Sequence, residues 1–219
     1  MKKLLLSTII GSVLLSIVAC NSEKNISNEK SNEETDDITI EQSTSPTDTT
    51  VNKTTKIISH YADFIIYDEL AELEKSADLI VLAKFTGERE VNEHKTKEGH
   101  TFLQNSISTV KILKPFKGDI DIESTIQTFE PGFFQKEDEY VTVEGYNLMN
   151  EDGEYILFLK KNIEGPVHTI VGMYQGKYDV SNPNPVEAKV NQTDITSEYL
   201  GENVEHFNKL KQEVMTKYR

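Results

Sequence analysis

Short apolar segments separated by turn residues follow one another after residue 78, and they predict a series of β-strands. Residues 79–85 form an apolar run of strand length that is rich in branched side chains, and residues 106–113 form a second one. The period-two spacing of Ile120, Ile122 and Ile126 predicts a third strand with these three side chains on one face. Proline and glycine residues follow the second and third segments, as expected of turns.

Three later segments predict further strands. Residues 140–143 alternate in side-chain type, and residues 155–159 are strongly apolar. Residues 168–180 predict a last strand or a pair of strands, within which Gly172 and Gly176 indicate a bulge or a sharp bend.

Helical spacing occurs at both ends of this strand region. Leu70 and Leu73 lie three residues apart after Asp68, a predicted N-cap, and this short helix should end near residues 77–78. A second, amphipathic helix is predicted at about residues 200–218, where apolar side chains recur at steps of three and four. Its apolar stripe consists of Leu200, Val204, Phe207, Leu210, Val214 and Tyr218.

The order of these elements predicts a mainly β fold with flanking helices, of the α+β class. Short strands with turns between them, one early helix and one closing helix favour a small antiparallel barrel. We assign this barrel-like domain to residues 57–219.

The first residues carry the layout of a secretory signal, which we place at residues 1–19. Lys2 and Lys3 precede an apolar run over residues 4–19, and small residues end it. A helix needs roughly 20 apolar residues to cross the hydrocarbon core, so this run is short for a stable span. An uncleaved anchor helix is the alternative.

The end of this segment, Ile17-Val18-Ala19-Cys20, resembles the lipobox of bacterial lipoprotein precursors. The resemblance implies that a diacylglycerol is attached to the Cys20 thiol, that a peptidase cuts before it, and that the protein is anchored on the extracytoplasmic face of the cell membrane. The first lipobox position is usually leucine, whereas Ile17 stands here. Cys20 is the only cysteine, so no disulfide can form within the chain. An ordinary cleaved signal with an incidental cysteine is the alternative.

The segment from Cys20 to residue 56 is predicted to be a disordered acidic tether. Its composition is dominated by Asn, Ser, Thr, Glu, Asp and Lys, and such a segment has almost nothing to bury. The formal net charge of the whole chain is −14, which repels nucleic acid and anionic lipid headgroups. We therefore expect no nucleic-acid partner, and we expect a monomer.

Four segments in the strand region, SADLIVLAKFTGE, STVKILKPFKGD, TFEPG and GEYILFLKK, look like a pattern in small exported bacterial domains of unassigned function. They also resemble the netrin-like domains of tissue inhibitors of metalloproteinases, which are OB-fold barrels. This resemblance covers about residues 68–180 and implies an OB-like barrel. Those inhibitors chelate zinc through a disulfide-fixed N-terminal cysteine, whereas Cys20 would be acylated here. The fold is therefore carried over, and the inhibitory mechanism is not.

Motifs for catalysis and cofactor binding are missing from the sequence. It contains no Gly-x-Ser-x-Gly, no catalytic cysteine, no glycine-rich phosphate loop before a helix and no His-Glu-x-x-His. We therefore expect no cofactor. The best metal candidates are His94 and His100, which have glutamates nearby, although their spacing matches no closed zinc site. The alternative is a solvated hairpin loop between the first two strands.

Three phenylalanines surround a Pro-Gly turn and mark the candidate binding loop. Phe129, Phe133 and Phe134 lie in a segment predicted to be a loop, where aromatic side chains must either pack or bind. They form either an exposed patch for a protein, glycan or peptide, or a lid over the open end of the barrel.

The leading functional hypothesis is a membrane-anchored lipoprotein with a small, non-catalytic binding domain. Its partner would be a protein or glycan of the cell envelope. An inhibitor or accessory factor of an envelope enzyme is the second hypothesis, which rests on fold analogy. A hydrolase with scattered carboxylates such as Glu130 and Asp138 is the third.

Overall fold

The computed structural model describes residues 55–151, 153–163, 165–187 and 195–219. The predicted signal, Cys20 and the tether as far as residue 54 lie outside the described residues. No helix within the described ranges combines the length and the hydropathy that a membrane span requires.

The described residues form nine strands and two α-helices, with α1 after the first strand and α2 after the last. The strands are β1 (Lys56–His60), β2 (Leu79–Lys95), β3 (Thr101–Lys117), β4 (Thr125–Glu130), β5 (Phe133–Lys136), β6 (Glu139–Val143), β7 (Glu154–Lys160), β8 (His168–Ile170) and β9 (Lys177–Asp179). The helices are α1 (Leu70–Ser76) and α2 (Val204–Tyr218), and a short 3₁₀ turn covers Met173–Gly176. The structure thus confirms the predicted mainly β fold with an early helix and a closing helix.

The larger sheet contains six strands in the order β2-β3-β4-β8-β7-β9, and β2 also pairs with β7. The pairs β2–β3, β3–β4, β2–β7, β7–β8 and β7–β9 are antiparallel, and β4–β8 is parallel. Strands β2 and β3 form a long hairpin. Only the residues of β2 up to Lys84 pair with β7, and only those of β3 from Ser106 to Lys111 pair with β4.

The smaller sheet has three strands in the order β1-β6-β5. Strand β1 runs parallel to β6 with Lys56 opposite Glu139 and His60 opposite Val143. Strand β5 pairs antiparallel with the other edge of β6. Neither β1 nor β5 was predicted from the sequence, because the first ends a polar segment and the second was assigned to a loop.

The hydrophobic core lies between the larger sheet and α2. Phe207, Leu210 and Val214 of α2 are at most 1% exposed, which confirms that the predicted apolar stripe docks on the sheet. They pack with the inward side chains of β2, β3 and β7 and with residues that follow β8. Among these core residues are Leu79, Val81, Val110, Ile112, Ile156, Phe158, Val171 and Tyr178.

Several boundaries differ from the sequence prediction. The third predicted strand begins at Thr125, because residues before it form a turn in which Glu123 has a φ of 67° and Ile122 is exposed. Helix α2 begins at Val204 rather than at residue 200. Asp68 is not an N-cap. The backbone N–H of Leu70, at the start of α1, has no acceptor within its own helix. It donates to Glu213 Oε2 of α2 at 3.3 Å.

A buried ion pair joins α2 to the segment before it. Lys211 Nζ lies 2.5 Å from Glu198 Oε2, and both side chains are almost fully buried. Glu198 Oε1 accepts the backbone N–H of Asp179 at 2.6 Å, and Lys211 also donates to the carbonyl of Asn184. Burial raises the pKa of Glu198, while Lys177 and Lys211 act to lower it.

Candidate functional site

Three backbone segments that are distant in sequence meet at one place on the surface. The N–H of Glu144 donates to the carbonyl of His60 at 2.9 Å, which extends the β1–β6 ladder by one bond. The N–H of Leu200 donates to the carbonyl of Gly145 at 2.8 Å. The end of β1, the turn after β6 and the segment before α2 are therefore fixed against one another.

A tight turn after β6 forms the centre of this junction. The N–H of Tyr146 donates to the carbonyl of Val143 at 3.0 Å, and both central residues are left-handed, with φ values of 53° for Glu144 and 72° for Gly145. This is the pattern of a type I′ turn. Glycine is required at position 145, because a Cβ there would overlap the backbone of Gly201.

An open cavity of about 250 Å³ lies over this junction. We call it the aromatic cleft. Four aromatic residues line it, namely Tyr61, Phe64, Tyr174 and Tyr199, together with Glu144, Glu202 and His60. Gly145 and Gly201 of the junction line it as well. Rings with a few convergent polar groups are the usual lining of a ligand site.

The inner rings of the cleft are held rigidly by the core. Tyr174 and Tyr199 are each 4% exposed, and their ring centroids lie 4.5 Å apart. Tyr199 stacks on Phe207 of α2 with centroids 5.0 Å apart, and Phe64 meets Tyr174 edge-on at 5.8 Å. Contacts of this geometry stabilise aromatic pairs. The shape of the cleft is therefore preformed by the packing of α2 on the sheet.

The buried side chain of Gln175 fixes the outer wall of the cleft. Its Oε1 accepts the N–H of Tyr67 at 2.7 Å, and its Nε2 donates to the carbonyls of Ile65 and Gly172 at 3.1 and 2.9 Å. Glu144 Oε1 accepts the N–H of Ala62 at 2.7 Å. Residues 61–67 have no regular secondary structure, so these side chains supply the bonds that order the segment.

The rim of the cleft exposes large apolar side chains. Tyr61 is 79% exposed, Ile65 is 68% exposed and Ile66 is 54% exposed. The three residues belong to one short segment, and both Tyr61 and Ile66 line the cleft. Exposed apolar groups concentrated beside a cavity are typical of an interaction surface.

The hydroxyls of Tyr174 and Tyr199 are neutral and lie near the negatively charged carboxylate of Glu144. Burial raises the pKa of Tyr174, and the carboxylate of Glu144 acts in the same direction, while hydrogen-bond donors on Tyr199 and Asn203 partly offset this. Burial likewise raises the pKa of Tyr199 well above its ordinary value. Both hydroxyls therefore remain protonated at neutral pH.

Larger hollows lie elsewhere on the described surface. One of about 640 Å³ runs along α2, one of about 420 Å³ lies beside Arg89 on the hairpin, and one of about 330 Å³ lies beside Lys161 and His168. No described phenylalanine or tyrosine lines any of these three. The aromatic cleft is therefore the better candidate for a binding site.

The structure separates the three phenylalanines of the predicted binding loop. Phe129 is half-buried in β4, Phe133 is buried in β5, and Phe134 is 40% exposed. Phe134 packs on Tyr140 of β6 with ring centroids 5.0 Å apart. The three rings are thus divided between two strands and do not share one exposed surface.

The two histidines considered as metal ligands lie at the tip of the long hairpin. His94 belongs to β2, and its Nε2 lies 3.2 Å from Asn105 Oδ1 and 3.1 Å from Asn92 Nδ2. His100 is exposed in the turn that follows. Within the described ranges, no group of three or more His, Cys, Asp or Glu side chains is placed to hold a metal ion.

The two carboxylates considered for a hydrolase lie in different surroundings. Asp138 is exposed between β5 and β6, whereas Glu130 is fully buried at the end of β4. Glu130 accepts hydrogen bonds from Arg89 Nη2 at 3.0 Å, from Tyr146 Oη at 2.8 Å, from the N–H of Met149 at 2.9 Å and from Ser108 Oγ. These bonds occupy both carboxylate oxygens of Glu130.

Sequence reasoning did not identify the aromatic cleft. Its signal was weak, because Tyr61 and Phe64 belong to the segment YADFIIY, which has neither strand nor helix periodicity. The dipeptide Glu144-Gly145 indicates a turn but gives no sign of the ring of Tyr199 beside it. Only the folded chain brings these positions together.

Comparison with known proteins finds no match to this chain. No family model, no curated protein and no solved structure matches it. Any function assigned to the folded domain therefore rests on the geometry of the fold and of the cleft.

Proposed function

We propose that this chain is a lipid-anchored protein on the extracytoplasmic face of the cell membrane, and that its folded domain binds an envelope partner without catalysing a reaction. The observation that carries the proposal is the aromatic cleft, a preformed cavity of about 250 Å³ with an exposed apolar rim. Preformed cavities of this composition favour binding, because little conformational entropy is lost when the partner is seated.

The anchor is inferred from the leader. The lipobox-like residues before Cys20 support acylation of its thiol, and two acyl chains on one cysteine give stable membrane attachment where one chain is marginal. The polar composition of the residues between Cys20 and β1 supports their use as a tether.

The hydrogen bonds of the buried Glu130 carboxylate support a binding role without catalysis. Glu130 would be the best general acid or base of the described residues by burial alone, but its oxygens already accept bonds from four donors. A general base must reach a substrate proton. The carboxylate of Glu130 has instead the environment of a structural group.

An OB-like barrel is the architecture that we propose for the larger sheet. Following the pairings from β2 through β3, β4, β8 and β7 leads back to β2, since β2 also pairs with β7. A five-stranded, partly open barrel has this kind of circular order. The parallel pair β4–β8 within an otherwise antiparallel circuit supports the same assignment.

Site-specific photocrosslinking on intact cells tests the proposed binding function. A photoreactive benzoylphenylalanine placed at Ile66, on the rim of the cleft, should give discrete adducts. The matched control is the same residue at Ile122, which is 58% exposed in the turn before β4, compared with 54% for Ile66. Discrete adducts from Ile66 but not from Ile122 support the proposal. Identical products from both positions, or none from Ile66, overturn it.

A further inference from the structure

The aromatic cleft has an excess of negative charge. Glu144 and Glu202 line it together with one histidine, His60, and no described lysine or arginine does. The Oε1 atom of Glu144 accepts the N–H of Ala62, which fixes the direction of this carboxylate. The net charge of the whole chain has the same sign, at −14. Such a field raises the local concentration of cations and steers basic partners to the surface.

The rings of the cleft offer a second attraction for positive charge. The face of an aromatic ring carries partial negative charge, and a cation within about 6 Å of its centre is attracted, most strongly where water is excluded. The hydroxyls of Tyr174 and Tyr199 stay neutral because burial raises the pKa of each. Tyr174 and Tyr199 are only 4% exposed and pack on each other and on Phe207, so they add no formal charge, and the ring that is open to a ligand is that of Tyr61, which is 79% exposed.

We infer that the aromatic cleft binds a lysine or arginine side chain of a protein partner. This inference rests on the proposed function and names the chemistry of the ligand at the same site. The ammonium or guanidinium group would lie near the carboxylates of Glu144 and Glu202, and the apolar stem would pack against the exposed side chains of Tyr61 and Ile66. Both parts of such a side chain therefore find matching surfaces.

The size of the site argues against a drug-sized ligand, and the nature of its rim favours a protein side chain over a small free amine. The cavity of about 250 Å³ is smaller than the roughly 300–1,000 Å³ that encloses most small-molecule ligands. The exposed side chains of Ile65 and Ile66 would remain in water beside a small amine. A polypeptide that carries the basic residue would cover them.

Binding of short peptides to the purified protein tests whether the cleft prefers a basic side chain to an uncharged side chain and to a free amine. The probes are capped Ala-Lys-Ala and Ala-Arg-Ala, with Ala-norleucine-Ala as the uncharged control and n-butylammonium as the amine without a backbone. Binding is followed by NMR titration of the tyrosine ring signals. The basic peptides should bind at least about tenfold more tightly than the norleucine peptide, the change expected when one charge-assisted contact is lost. They should also bind more tightly than butylammonium.

Charge-neutral variants test the role of the carboxylates. Glu144→Gln keeps an oxygen that can accept the Ala62 N–H and removes the charge, so binding of Ala-Lys-Ala should weaken about tenfold without a change in melting temperature. Glu202→Gln, which alters an exposed side chain, provides a second variant should Glu144→Gln fail to fold. The control is Glu98→Gln, which removes an equal charge from the hairpin turn and should leave the affinity unchanged. Tyr61→Leu tests the aromatic wall and should weaken binding, because it removes an exposed ring from the cleft.

The possible outcomes separate this inference from the proposed function. Equal binding of the norleucine and lysine peptides overturns the requirement for a cation, while adducts from Ile66 would still support a binding site. Butylammonium that binds as tightly as the peptides overturns the assignment to a protein partner. Equal losses in Glu144→Gln and Glu98→Gln overturn the role of the cleft carboxylates. If no probe binds and Ile66 gives no adducts, both proposals fall.

Discussion

At the scale of single residues, Glu130 shows how this domain keeps a charge in its interior. The side chain is fully buried, and its oxygens accept bonds from Arg89, Ser108, Tyr146 and the backbone of Met149. The guanidinium of Arg89 also lies over the ring of Phe85 at 4.4 Å. A buried charge is tolerated only where partners of this kind replace water. The network joins the end of β4 to the hairpin and to the segment that follows β6.

Loss of this carboxylate should therefore be costly. Glu130→Ala leaves the Arg89 charge and the Tyr146 hydroxyl without their acceptor, and we expect a loss of about 3–5 kcal/mol in the free energy of unfolding, as for other broken buried pairs. Asp138→Ala, at an exposed carboxylate, should change it by no more than about 0.5 kcal/mol. Urea denaturation measures both variants. Similar losses in the two would contradict the structural role given to Glu130.

The close approach of Gly145 and Gly201 is a second feature at this scale, and it also predicts a measurable cost. Gly145→Ala must place a Cβ at a φ of 72° and against the backbone of Gly201. Gly87→Ala also acts at positive φ, 88°, but its Cβ would meet no atom within 4 Å. Left-handed backbone alone costs about 1–2 kcal/mol, so Gly145→Ala should lose clearly more stability than Gly87→Ala. Equal losses in thermal denaturation would show that the junction is not tightly packed.

At the scale of elements, helix α2 links the core, helix α1 and the cleft. Its ring of Phe207 stacks on Tyr199 in the cleft wall and on Tyr178 of β9, with centroids 5.0 and 5.5 Å apart. At its other end, Tyr218 Oη donates to Glu74 Oε1 of α1 at 2.6 Å. An isolated helix of this length is marginal in water, so these tertiary contacts supply its stability. Movement of α2 would therefore disturb the cleft.

The junction between the helices should be sensitive to acid. Burial acts to raise the pKa of Glu74, but hydrogen bonds from Lys217 and Tyr218 outweigh it and hold this pKa below its ordinary value of 4.5. A carboxylate with a lowered folded-state pKa contributes stability above its unfolded-state pKa and loses it as pH falls through the folded-state pKa. Wild type should therefore exceed Glu74→Gln in stability at neutral pH, and this difference should shrink below about pH 4.5.

Urea denaturation of both proteins at several pH values measures this difference. Glu72→Gln, at an exposed position on the same helix, is the matched control. A difference between wild type and Glu74→Gln that stays constant from neutral pH down to about pH 3 would contradict the assignment of this carboxylate.

Elements with a strong local pattern could be predicted from the sequence, and those that depend on distant partners could not. Helix α2 and strand β7 carry clear apolar periodicity or apolar runs, and the structure confirms both. Strand β1 is held by its pairing with β6, and the outer part of the β2–β3 hairpin pairs with no third strand and mixes polar residues with the exposed Val91, Phe102 and Leu103. Lys211 lies outside the apolar stripe predicted for α2, yet its charge is buried against Glu198. The cleft could not be predicted from the sequence, because the residues that line it are far apart in the chain.

At the scale of the whole molecule, the proposed lipid anchor would hold the domain at the membrane, and the proposed binding role of the cleft would place a binding surface outside it. The described domain carries the cleft next to β1, where the chain enters the fold, and residues 61–67 continue from that strand into the rim. A tethered domain meets its partners at a high local concentration, which favours weak, charge-steered contacts.

The anchor predicts a simple change in location. Cys20→Ala removes the thiol to which a diacylglycerol would be attached, so the protein should appear in the medium or persist as an unprocessed precursor. Fractionation of cells followed by mass measurement of the chain detects both forms. Membrane retention together with the mass of the wild-type mature protein would contradict the lipid anchor.

The most direct test of the central claim is the adduct yield from benzoylphenylalanine at Ile66 on intact cells, compared between two charge variants. If the cleft binds a basic side chain of an envelope partner, Glu144→Gln should strongly reduce this yield, because the charge it removes lies inside the cleft. Glu98→Gln removes an equal charge from the hairpin turn and should leave the yield at the level of the otherwise unmodified protein. Equal yields in Glu144→Gln and Glu98→Gln would contradict the account.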